Sequence, residues 1–170
     1  GVFYGGLTGK RGDDFQSEDS SMNKPFIPFT NISNNTHISK DHFQHVVIGD
    51  DENQNKVRKF DLFFLMSSEE YDDLGKSSIL VEDVEELYLN SFCKGFRITK
   101  TDVYPLFLNQ QLLGDTHKKL ISIEGNGFTR INLRQDRLKA TQVFIPPFHE
   151  QKQIVSFLDN KTSLIDSLIE

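Results

Sequence analysis

The chain has 170 residues, 36% of them hydrophobic and fifteen of them Phe, enough for one domain with a real core plus an appendage. It has no apolar run of membrane length and no signal-peptide pattern, so we read a soluble, cytoplasmic protein with no membrane partner. A lone cysteine, Cys93, excludes a disulfide framework or Cys-based zinc site and reads as a small buried hydrophobe. The net charge of −6 argues against indiscriminate DNA binding, because phosphate neutralisation supplies most non-specific affinity. Its distribution is uneven. Residues 41–90 hold thirteen acids and four bases, whereas residues 94–139 hold nine bases and four acids, a split able to give a basic face and an acidic back.

In chain order, Val2-Phe3-Tyr4 reads as a short strand running into Gly5-Gly6-Leu7-Thr8-Gly9-Lys10-Arg11-Gly12. Four glycines in eight residues make a loop whose backbone can approach a ligand closely. It is not a nucleotide phosphate loop, since Tyr4 holds the first-glycine position and Arg11 follows Lys10. Residues 16–24 are polar and read as a mobile link. Pro25 to Ile32 reads as a strand whose two prolines suggest an edge or irregular position. His37, His42 and His45 share no clear face and read as surface histidines rather than metal ligands. Val57 to Met66 reads as one nearly continuous apolar strand buried on both faces. It ends on Ser67-Ser68-Glu69-Glu70, whose hydroxyls and carboxylates suit either base edges or a helix cap.

Tyr88 to Ile98 reads as a further strand. Asp102 then caps a helix opened by Pro105, with Leu106, Leu113, Leu120 and Ile121 on its apolar face and Gly114 as an interruption. Asn126-Gly127-Phe128-Thr129-Arg130 forms a glycine-bracketed polar turn; Arg is the commonest reader of guanine and Asn reads adenine, though half or more of such contacts go to phosphate. Ile145-Pro146-Pro147 then leads at once into a helix, with Pro147 in the first helical position and Glu150 in the first turn. Ile154, Leu158, Lys161, Ile165 and Leu168 line one stripe of about 22 residues of helix, a seam suited to pairing.

The run Pro146-Pro147-x-x-Glu150-Gln151-x-x-Ile154, with the Gly127–Leu133 turn before it, resembles the end of a target recognition domain in the specificity (S) subunit of type I restriction-modification enzymes. Gly6-Leu7-Thr8-Gly9-Lys10 is similar to the first loop of many such domains. Asn31, Asp61, Ser68, Glu69, Gly75 and Lys76 also fit family patterns, while Phe60 stands where the family usually has glycine. The resemblance implies an α/β (α+β) architecture. A twisted mixed-sheet recognition domain over 1–146 would precede a coiled-coil spacer or dimerisation helix over 147–170. It implies a non-catalytic reader of one half of a bipartite target in double-stranded DNA, with Thr8, Lys10, Arg11, Asn31, Ser67, Ser68, Lys76, Asn126, Thr129 and Arg130 as expected DNA contacts. The implied partners are methyltransferase (M) subunits carrying S-adenosylmethionine, a restriction (R) subunit carrying ATP and Mg, and a second copy of the chain through the terminal helix. The chain itself would bind no cofactor.

Two other readings compete. Adenine-N6 methyltransferases share the Pro-Pro-aromatic run, here Pro146-Pro147-Phe148, but place Asn, Asp or Ser before it to accept from the target amino group. Ile145 has no acceptor, and no glycine-rich cofactor loop leads into a helix. A non-catalytic specificity domain of a single-chain methyltransferase stays compatible with this. A protein-interaction module with a pairing terminal helix is favoured by the acidity and opposed by the resemblance.

Overall fold

The computed structural model describes residues 1–15 and 22–169, so most of the polar link at 16–24, and Glu170, lie outside the described residues. Its strands and helices are β1 (Val2–Gly5), β2 (Asn23–Ile27), α1 (Phe29–Asn34), β3 (Gln44–Val47), β4 (Leu62–Leu65), β5 (Ser67–Ser68), β6 (Ser77–Ile79), β7 (Tyr88–Leu89), β8 (Cys93–Arg97), α2 (Pro105–Leu113), α3 (Asp115–Ser122), β9 (Ile131–Asn132), α4 (Gln135–Ala140) and α5 (Phe148–Ile169). The α/β class and the terminal helix stand, but the strands are shared among three sheets. One is antiparallel in the order β1-β8-β4-β6, one is mixed in the order β3-β2-β7, and one pairs β5 with β9.

β4 explains the continuous apolar run. Phe63 and Leu65 point into a core shared with Ile27, Leu80, Leu87 and Leu89, while Leu62 and Phe64 point into a second core with Leu108, Leu112, Ile121 and Ile131. Side chains alternate across a strand, so a strand sandwiched between two cores is apolar at every position. The regular strand is nevertheless shorter than its apolar signal. Residues 57–61 form a turn in which Phe60 adopts φ 67°, the left-handed region that favours glycine. The glycine that the resemblance leads one to expect here would adopt this conformation without strain. Phe60→Gly should relieve this conformation and raise stability by about 1 kcal/mol, read by denaturant unfolding; a loss instead would mean that the ring, which lies 5.2 Å from the Lys59 ammonium, contributes more than its backbone costs.

Three local expectations are corrected. The Pro25–Ile32 strand stops at Ile27, and the residues from Phe29 form α1. β2 is a central strand, tolerable because its parallel pairing with β7 starts only at Phe26, beyond Pro25. Tyr88–Ile98 is two strands: β7 ends at Leu89, a turn at 90–92 follows, and β8 begins at Cys93 in a different sheet. Cys93 is fully buried, and burial pushes its thiol up to about 12.

The helices after residue 100 cover the second core. Tyr104, not Asp102, is the N-cap of α2, and Pro105 is its first residue, where the missing N–H is harmless. Gly114 ends α2 and begins α3. In α5 the first helical residue is Phe148, one later than the Pro-Pro reading, with the Pro147 carbonyl accepting from Gln151 N–H. Only Gln151 and Val155 of α5 are buried; from Ser156 onward every residue is exposed. The seam at Leu158, Lys161, Ile165 and Leu168 is therefore uncovered, while Ile154, at its base, is half-buried. Among the described residues no helix is long and apolar enough to cross a membrane.

Candidate nucleic-acid interface

Three loops meet at one edge of the sheets. Gly6 packs so closely on the turn after β7 that a Cβ there would lie 2.0 Å from the Asn90 carbonyl oxygen, and Leu7 N–H donates to Leu89 O at 2.7 Å. That same turn carries Phe92, whose ring lies 5.3 Å beneath the Arg130 guanidinium. The first loop, the Asn90–Phe92 turn and the Asn126–Arg130 turn are thus contiguous. Lys94, the second residue of β8, has its Nζ 3.5 Å from where a Cβ on Gly5 would sit.

The Asn126–Arg130 turn is held at both ends. Asn126 and Asn132 exchange backbone hydrogen bonds at 3.0 and 2.9 Å, and β9 pairs with β5 through Ser67↔Asn132 and Ser68↔Ile131. Gly127 has φ 141°, and a side chain there would strike the Arg130 carbonyl. β5 continues directly from β4, so the turn is braced on the central strand of the fold.

Charge on this edge is left uncompensated by pairing elsewhere. Four acids of residues 41–90 are engaged by cations, all but Lys56 from outside that stretch: Glu52 by Lys10, Glu82 by Lys40, Glu86 by Lys24 and Lys56, and Asp61 by Arg97. The hydrogen bonds from Lys24 and then Lys56 hold the Glu86 carboxyl down at about 2, and Lys10 does the same for Glu52. Among the described residues, Arg11, Lys94 and Arg130 have no carboxylate within 4.0 Å. A net acidic chain can present a cationic edge in this way.

The expected contacts divide accordingly. Asn126, Thr129 and Arg130 lie on the exposed turn, and Arg11 is exposed on the first loop. Thr8 and Lys10 lie on that loop too, but are tied to the 49–54 loop: Thr8 N–H donates to Gln54 Oε1 at 3.0 Å, and the Lys10 ammonium pairs with Glu52. Ser67 and Ser68 are buried, and Ser68 Oγ accepts from Glu70 N–H at 3.0 Å. Asn31 is buried, bonding the Ser39 carbonyl through Nδ2 at 2.8 Å and Ser39 N–H through Oδ1 at 3.2 Å. Lys76 donates to the Ser33 carbonyl. Asn31 and Lys76 thus belong to the support around α1. Among the described residues no group of three or more His, Cys, Asp or Glu is placed to hold a metal.

A sequence model of the type I restriction modification DNA specificity domain matches residues 7–169. The chain belongs to that family. No curated protein sequence matches it. Among solved structures, the HsdS subunit of Thermoanaerobacter tengcongensis aligns with a TM-score of 0.68 at 14% identity, over 98% of this chain and 43% of that one. A chain from a structure on complex assembly and conformational transition of the type I R-M system aligns with a TM-score of 0.61 at 15% identity, over 98% of this chain and 37% of that one. At such identities the likeness is one of fold, and this specificity domain spans less than half of either chain.

Within the specificity domain, sequence reasoning missed three positions. Phe92 and Lys94 lie in what reads as one strand, although Asn90-Ser91 between them and Leu89 is the turn signal that could have found the break. In the sequence Gln151 is only one letter of the Pro-Pro motif. In the structure it is fully buried, its Oε1 accepting from Tyr104 N–H at 2.7 Å and its Nε2 donating to the Asp102 and Pro146 carbonyls, each at 2.8 Å. This one side chain joins the start of α5 to the start of α2.

Proposed function

We propose that this domain reads one half of a bipartite target in double-stranded DNA, and that the subunit carrying it directs adenine methylation and cleavage by partner M and R subunits. The observation that carries this reading is the meeting of the first loop, the Asn90–Phe92 turn and the Asn126–Arg130 turn, with Arg130 on the last of them and Lys94 on β8 beside Gly5, neither held by a carboxylate. Phosphate contacts position a protein on the duplex, and a few side chains at base edges specify sequence. Arg130, on a braced turn beside Asn126 and Thr129, suits the second task; Arg11 and Lys94 suit the first. S-adenosylmethionine, ATP and Mg belong to the partners, and this chain acts as reader rather than catalyst. The uncovered α5 seam supports pairing with a second such helix, from another copy or from the other half of a longer subunit.

The test is to co-assemble the protein with its methyltransferase subunits and map methylated adenines by sequencing. A split target is expected, and Arg130→Ala should relax one position of one half, or weaken that half throughout, by roughly 1–3 kcal/mol. Unchanged affinity and an unchanged motif in Arg130→Ala would remove this turn from the DNA interface. Complex formation without any sequence preference would favour an interaction module instead.

A further inference from the structure

Most exposed phenylalanines in this domain have a partner: Phe92 lies under Arg130, Phe60 under Lys59, Phe148 edge-on to Tyr104, Phe157 under Lys161, and Phe15 against Phe26. Phe144 is open but sits in an apolar run with Val143 and Ile145. Phe128 is different. It is fully exposed, it is flanked by Gly127, Thr129 and Arg130, and no ring or cation contact involves it among the described residues.

Its surroundings make that exposure a fixed one. The turn that lifts it is closed by the paired backbone bonds of Asn126 and Asn132 and by Asn132 Nδ2 donating to the Arg130 carbonyl at 3.1 Å. The Gly127 conformation, with φ 141°, is one that a side chain would strain. Two residues on, the Arg130 guanidinium lies over Phe92. An apolar ring is therefore held at the tip of a rigid turn with an unpaired cation beside it. A duplex offers both complements within one nucleotide: phosphate for the guanidinium, and the flat, apolar face of a base pair for the ring.

We propose that Phe128 is a DNA wedge, its ring entering a base-pair step of the target half-site and partly unstacking it while Arg130 engages the adjoining groove or backbone. This rests on the DNA-reading function proposed above and adds to it a second source of specificity. Apolar side chains that enter base steps kink the duplex, and pyrimidine–purine steps yield most easily. The domain then prefers a TA or CA/TG step at the wedge position, through deformability rather than hydrogen bonds to that pair.

The experiment uses the protein assembled with its methyltransferase subunits and duplexes carrying 2-aminopurine at successive positions of the mapped target, away from the methylated adenine. Binding should raise fluorescence several-fold at one step. Phe128→Ala should abolish that rise and weaken binding by about tenfold, whereas Phe128→Leu, still an apolar wedge, should retain it. Because the ring packs on nothing in the free domain, both variants should fold normally. A target bound tightly with no fluorescent step, or a step whose signal survives in Phe128→Ala, overturns the wedge while leaving the reader intact. If Phe128→Ala and Arg130→Ala both leave affinity and motif unchanged, the wedge and the assignment of this turn to DNA fall together.

Discussion

Gln151→Ala should destabilise the domain by about 3 kcal/mol, a fall of roughly 6–12 °C in Tm, measured by thermal and denaturant unfolding. The side chain is fully buried, so its removal leaves one N–H and two carbonyls without partners in a space only partly open to solvent. Each such group costs about 1–3 kcal/mol, and partial entry of water reduces the sum. Gln151→Glu discriminates this account from simple packing, since volume is kept while the donor is lost. An ionised carboxylate would face the Asp102 and Pro146 carbonyls, so its folded-state pKa should rise. The destabilisation should then be greatest at neutral pH and shrink as the medium is acidified and the carboxyl regains a proton to donate. If Gln151→Glu were as stable as the parent at pH 7, the three hydrogen bonds would not be what secures α5.

Asp61→Ala should cost about 3–5 kcal/mol. Asp61 lies just before β4 with its side chain 2% exposed, and it accepts from Arg97 Nε at 2.9 Å, Arg97 Nη2 at 2.6 Å, the Tyr4 hydroxyl at 2.6 Å and Arg58 N–H at 2.9 Å. One carboxylate thereby links β1, the turn before β4, and β8. Burial, followed by the charge of Asp61, pushes the Tyr4 hydroxyl well above its ordinary pKa, so it stays a donor. Arg97 is held above its ordinary value chiefly by its hydrogen bonds to the same carboxylate. Removing Asp61 strands a partly buried guanidinium and a hydroxyl, whereas replacing the pair together should be milder. The double variant Asp61→Leu with Arg97→Met should recover at least half of the loss in denaturant unfolding. Arg97 is 30% exposed, which places the expected cost of the single change towards the lower end.

Much of the frame was legible because periodicity and turn chemistry carry it. The apolar run at Leu62–Leu65 and the Pro-Pro boundary before α5 both follow from local rules, and the family motifs located the exposed turn at Asn126–Arg130. What escaped was set by contacts distant in sequence. Nothing local announces that Ser68 will be buried by pairing with Ile131, or that Asn31 will spend its amide on Ser39. The Pro25–Ile32 segment reads as an edge or irregularly placed strand because prolines weaken strands, yet the parallel neighbour begins one residue past Pro25 and asks nothing of it. Asp61 fits a family pattern without disclosing its four donors, because these come from three residues, Tyr4, Arg58 and Arg97.

The anchorage of α5 sets a mechanical scale. Fourteen residues separate Val155, its last buried residue, from Ile169, a helical span of about 21 Å at 1.5 Å per residue. Pivoted at the Gln151 anchor, eighteen residues and about 27 Å from Ile169, a tilt of only about 10° would swing the far end by nearly 5 Å, more than the ~3.4 Å rise of one base pair. On the proposed reading, in which α5 pairs with a second such helix, angular play of that size would displace the paired seam by more than a base pair, which gives a reason for three hydrogen bonds to converge at its fulcrum.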